Sequence, residues 1–330
     1  MILDPAVIAL LVSSSLICLL TLIAVWHGVR ILRSWDLASG SGLQLELERR
    51  TYLISTVLAY VMAFQLASLF LFIFMADSLA GLFTGAMCAA GTLNVNGYGY
   101  PVLLLKVLNF LLAGLWLVLN RADSKAEDYP LVQPKYALLL FMAPLIVTEA
   151  VFQAVYFRGL IPEVITSCCG SLFGTSSRGF ASSLASLPLQ PAVAFFSAAL
   201  VLATGAGLVT AVTGRGGWVT AAASAIAFLA SIEALICFIG PYVYELPTHR
   251  CPFCVLQREY RYVGYLLYAG MLSGAVSGLG VGVLMPFRKV TSLATVVPAM
   301  QRRLAMTASL SFLFLGILTG ILVVTSHLRW

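Results

Sequence analysis

The chain has 330 residues, 61% hydrophobic and only 10% charged, with a net charge of +6. A water-soluble domain carries about 25% charged residues, so soluble enzymes, disordered proteins and ordinary nucleic-acid binders are excluded. The basic balance calls for no nucleic-acid partner, because membrane proteins collect Lys and Arg in their cytoplasmic loops.

A bilayer core is crossed by about 20 apolar residues in helical form. Eight stretches meet this requirement, at 6–29, 52–76, 101–120, 136–157, 191–213, 218–240, 262–285 and 305–327. Backbone groups in lipid must bond internally, which makes each stretch a helix. The short alternating strands of a barrel do not appear. The expected fold is all-α, a polytopic membrane protein forming a single transmembrane helical domain over 1–330 with no soluble domain.

The loops set the orientation. The connections after spans 1, 3, 5 and 7 hold Arg30, Arg33, Arg49, Arg50, Arg121, Lys125, Lys135, Arg215, Arg288, Lys289, Arg302 and Arg303, twelve of the 19 basic residues. The positive-inside rule makes that side cytoplasmic and puts both termini outside. A multi-pass protein of the bacterial inner membrane is expected, in contact with membrane lipid, with its outer loops in the periplasm.

Taken along the chain, the chemistry-bearing residues gather on the outer side. Cys18 lies in span 1. The first outer loop carries Cys88 inside the small, apolar run Gly85–Gly91, which suits close packing against another loop. Met87 beside Cys88 is a further soft donor. Asn94–Tyr100 is a turn signal leading into span 3. Cys168 and Cys169 occupy the next outer loop, and Cys237 lies near the outer end of span 6. Tyr98, Tyr100, Tyr242, Tyr244, Tyr260 and Tyr262 read as an interfacial aromatic belt. Three charges fall inside spans: Lys106, Glu149 and Glu233. Charges in lipid mark function or mutual pairing, so these three are assigned as a proton relay or an ion pair. Gly270, Gly274, Gly278 and Gly282, at four-residue spacing in span 7, predict a face for close helix packing.

The densest motif is His249-Arg250-Cys251-Pro252-Phe253-Cys254, just before span 7. A C-x-x-C pair closes into a small disulfide and reopens. The N-terminus of a following helix, with Arg250 and Arg258, would favour the reactive thiolate. Haem attachment wants His directly after the second Cys, and position 255 is Val. A zinc site wants a second ligand pair, which Cys168 and Cys169 supply only if the loops converge. Cu(I) accepts thiolates in less regular settings.

The run Cys251-Pro252-Phe253-Cys254-Val255-Leu256-Gln257-Arg258 resembles the signature of the DsbB family, membrane enzymes that reoxidise periplasmic thiol oxidants and pass electrons to quinone. The placing of Cys88, Cys168 and Cys169 ahead of the motif is closer to the vitamin K epoxide reductase family. The resemblance is local to 251–258. It implies a redox-active Cys251–Cys254 disulfide, with Cys254 facing a quinone, and Arg258 and Gln257 at the quinone site. The expected function is therefore a membrane thiol–disulfide oxidoreductase that uses Cys251, Cys254, Cys168, Cys169 and Cys88. It would take electrons from a periplasmic thiol protein and pass them to quinone, with no metal ligand assigned. Two alternatives stand beside it: soft-metal binding or transport by the outer cysteines, and a structural membrane subunit of a larger redox complex.

Overall fold

The computed structural model describes residues 4–35, 42–126, 128–161 and 188–328. Cys168 and Cys169 lie outside the described residues. Within them the chain is built from helices and turns, with no strand. Among the described residues, eight helices are long and apolar enough to cross a membrane. They are α1 (Pro5–Ser34), α2 (Gly42–Ser78), α3 (Gly99–Asp123), α4 (Val132–Arg158), α5 (Leu189–Thr213), α6 (Gly217–Ala234), α7 (Val263–Val283) and α8 (Val296–Thr325). Each falls on one of the eight apolar stretches, and the protein is an all-α, multi-pass membrane protein.

Local chemistry explains the helix ends. Asp4 caps α1, its carboxylate accepting from the Ala6 N–H at 2.9 Å, and Pro5 supplies a ready-made first helical φ. α2 starts well before its apolar run. The extension is held on its polar side by Gln44 donating to Glu48 at 2.9 Å and by an Arg50–Glu46 pair, both at i,i+4 spacing.

Residue contacts divide the chain into two compact units: Met1–Met75, Asn96–Leu160 and Pro286–Pro298 form the first, and Ala76–Val95, Ile161–Met285 and Ala299–Trp330 the second. In the first, α1 and α3 both pack on α4. The core joins Ile17 and Ala24 of α1, Leu58 and Met62 of α2, Trp116 of α3, and Tyr136 and Met142 of α4. Gly28 leaves room for the Tyr136 ring, which would stand 2.9 Å from a Cβ there.

In the second unit, α6 packs against α5 and α7. The glycine face of α7 serves as expected. A Cβ at Gly274 would stand 2.9 Å from the Phe312 ring of α8, one at Gly278 would overlap the Ser224 side chain of α6, and one at Gly282 would lie 2.6 Å from the Ala221 Cβ. α6 does not stop at Ala234: it widens into a π turn over Leu235–Ile239 and resumes as Gly240–Tyr244. Such bulges are frequent at functional sites, and this one leads toward the cysteine loop.

Candidate functional site

The second unit brings together two cysteine segments that are far apart in sequence. After α2 the chain makes a 3-10 turn at Ala80–Leu82 and bends at Gly85, whose φ of 90° suits glycine. Cys88 follows in extended geometry and starts a short helix, Ala89–Leu93. The Asp77 carboxylate holds that start by accepting from the Ala89 N–H at 3.1 Å.

The second segment leaves Tyr244 through Glu245, at φ 56°. Cys254–Leu256 and Arg258–Tyr260 form two 3-10 turns, and α7 starts only at Val263. Two tyrosines clamp this loop by its carbonyls. The Tyr244 hydroxyl donates to the Cys251 carbonyl, and the Tyr268 hydroxyl donates to that of Pro252 at 2.7 Å. Tyr244 is in turn boxed edge-on by His249 at 4.4 Å and Tyr260 at 4.7 Å.

The outcome is a three-sulfur cluster. The Sγ atoms of Cys88, Cys251 and Cys254 all lie within 4.8 Å of one another. Cys88 Sγ stands 3.4 Å from Cys251 Sγ, and the Phe253 N–H donates to Cys251 Sγ at 3.4 Å. Cys88 and Cys251 are 0% exposed and Cys254 is 4% exposed. Gln257 ties the two segments together, its amide donating to Asp77 Oδ1 at 3.1 Å and to the Met87 carbonyl at 2.9 Å. Sulfurs this close can exchange a disulfide among themselves, or share one thiophilic ion.

Several expectations need correcting. The helix after the motif does not begin at Cys254, so its N-terminus does not face the thiols as the spacing suggested; the two 3-10 turns intervene. Gln257, besides the quinone role expected of it, clasps the two loop segments, and Arg258 is exposed. Met87 turns outward, 66% exposed, and contributes its carbonyl to the clasp. Tyr244 is a buried clamp with 6% exposure, not a belt residue. Two contributors were missed, Asp77 and Tyr268. A lone carboxylate just after the apolar run of span 2 was the available signal for the first; nothing distinguishes Tyr268 from its neighbours by spacing.

The intramembrane charges part company. In the first unit, Lys106 Nζ lies 2.7 Å from Glu149 Oε1. Gln65 and Asn109 each donate to Glu149 Oε2 at 2.6 Å, and Ser68 accepts from Lys106 at 3.2 Å. That is a solvated ion pair made from protein groups, as a buried charge requires. Glu233 belongs to the second unit, where its carboxylate bonds the Cys237 thiol and its Oε2 has no hydrogen-bond partner. Lys135, read above as a loop charge, is buried at 1% exposure and paired with Asp123 at 2.6 Å. The reason is that α4 begins at Val132, so Lys135 sits in its first turn.

A cleft of about 560 Å³ in the second unit is lined by residues including Tyr242, Glu259, Tyr260, Arg261, Leu266 and Leu322. It reaches the cysteine loop through the Tyr260–Tyr244 ring contact. No protein-family model matches the chain, and comparisons with curated proteins and with solved structures return no match.

Proposed function

We propose that this chain is a membrane thiol–disulfide oxidoreductase whose working sulfurs are Cys251, Cys254 and Cys88, and which passes electrons to a quinone. The observation that carries the reading is the approach of Cys88 to within 3.4 Å of the C-x-x-C sulfur Cys251. Thiol–disulfide exchange needs an attacking sulfur beside the disulfide it opens, and the Cys88–Cys251 approach supplies one. The local resemblance of 251–258 to the DsbB signature supports the same chemistry, on the periplasmic side of the membrane.

The cycle balances as follows. A periplasmic dithiol protein gives two electrons to the Cys251–Cys254 disulfide through a mixed disulfide, leaving that protein oxidised and the pair as two thiols. Quinone then takes two electrons and two protons from the pair, forming quinol and re-forming the S–S bond. Because Cys251 and Cys254 are buried, the mixed disulfide requires the 251–254 loop to open toward the partner protein. The cleft beside Tyr260 falls within the ordinary size range of ligand pockets, about 300–1,000 Å³.

The test is redox mapping of the purified, chelator-treated protein by alkylation and mass spectrometry. A Cys251–Cys254 bond that glutathione opens and quinone rapidly re-forms is expected, with quinone re-formation lost in Cys254→Ser. A pair inert to glutathione, or one that quinone does not re-oxidise, overturns the reading.

A further inference from the structure

We infer that the reduced cluster is also a binding site for a soft monovalent cation of the Cu(I) type, held by Cys88, Cys251 and Cys254 alone. The inference goes beyond the redox reading and needs only the three thiols.

The geometry comes first. Three sulfurs each about 2.3 Å from a common ion stand about 4 Å apart when trigonal. The three Sγ atoms here lie within 4.8 Å of one another, and the nearest pair is at 3.4 Å. The trigonal spacing falls between those two distances. The donors arrive from two segments separated in sequence, and the Gln257 clasp and the Tyr244 and Tyr268 clamps fix both. A site whose backbone is held from three sides loses little freedom on binding.

Chemistry then selects the ion. The grouped donors are all sulfur, with no histidine or carboxylate among them. Soft thiolates select Cu(I), zinc and iron–sulfur clusters. Structural zinc wants four ligands and catalytic zinc wants three plus water. Among the described residues there are three, and at exposures of 0%, 0% and 4% they are shielded from bulk water as a fourth ligand. A three-coordinate soft ion fits that donor set. Binding releases thiol protons to solvent and moves no electrons, so the ion stays Cu(I). The same sulfur lone pairs cannot form the Cys251–Cys254 bond while they hold the ion, which makes metal loading and the disulfide mutually exclusive.

The experiment uses reduced, anaerobic full-length protein in detergent, titrated with Cu(I) against a chromogenic Cu(I) chelator. One ion per chain is expected. Affinity falls at least tenfold in Cys88→Ser and in Cys251→Ser, and is unchanged in Cys168→Ser/Cys169→Ser. Cu(I) also protects Cys88 from alkylation in the unmodified chain, a readout that does not depend on any variant folding. Binding that survives Cys88→Ser, or unchanged Cys88 alkylation, overturns the site. Zn(II), titrated alone, binds more weakly than Cu(I); equal or tighter binding overturns the three-coordinate assignment. Because quinone re-oxidation is measured after chelation and Cu(I) binding without quinone, each reading can fail without the other.

Discussion

Cys88 Sγ stands 3.4 Å from Cys251 Sγ across 163 residues of sequence. A disulfide needs about 2.05 Å between sulfurs, so these two must close by a little over ~1 Å to bond. In a variant that keeps only these two cysteines, mild oxidation of the folded protein gives an intramolecular Cys88–Cys251 link, seen by non-reducing peptide mapping. A link that forms only after the protein is unfolded in strong detergent contradicts the arrangement.

Gln257 is predicted to govern access to the thiols. Its amide makes one bond to the Asp77 carboxylate and one to the Met87 carbonyl. A hydrogen bond to a charged group contributes roughly 1.5–3 kcal/mol. Gln257→Ala therefore loosens the 85–91 segment, and the alkylation rate of Cys88 rises several-fold while the helical spectrum stays the same. Gln257→Glu places a carboxylate against Asp77 and raises it further. Unchanged Cys88 reactivity in both variants would show that the clasp does not hold the segment.

Much of this is legible in the sequence. The eight spans follow from apolar length, because lipid leaves a long apolar run only one way to satisfy its backbone. The glycine face of α7 was legible because four glycines at one-turn spacing have no other use. The small residues around Cys88 also pointed to close packing against a second loop. Which loop, and through which groups, was not legible. Asp77, Gln257 and Tyr268 act through contacts between segments that no spacing records. Lys135 was misread because hydropathy marks where the apolar run starts, while the helix starts earlier and folds its first turn onto Asp123.

The Lys106–Glu149 pair predicts a sign rather than only a size. Both groups are buried, and the pair is ringed by Gln65, Ser68 and Asn109. Removing one partner leaves an uncompensated charge, which costs about 3–5 kcal/mol. Lys106→Met or Glu149→Gln alone should sharply lower the thermal midpoint in detergent. The double variant, which removes both charges and keeps the amide partners of position 149, recovers most of the loss. A double variant no better than the worse single one would mean that the two residues do not act as a pair.

Gly264 makes the last prediction, because it is where α7 meets the motif. A Cβ there would lie 2.7 Å from Val255 Cγ2 and 2.8 Å from the Val255 carbonyl oxygen. A flexible side-chain tip can yield, but a backbone oxygen in the turn after Cys254 moves only with the turn. Overpacking of this kind costs about 1–3 kcal/mol. Gly264→Ala is therefore expected to lower the thermal midpoint and to displace the 254–256 turn, weakening Cys88–Cys251 cross-linking. Gly320→Ala, in α8 of the same unit, is the control. Nothing lies within 4 Å of its added methyl, and replacing a helix-interior glycine stabilises by about 0.5–1 kcal/mol. The pair should move in opposite directions in a melting experiment, and only Gly264→Ala should alter the thiols. Equal, small effects from both would show that the turn does not rest on α7 at this glycine.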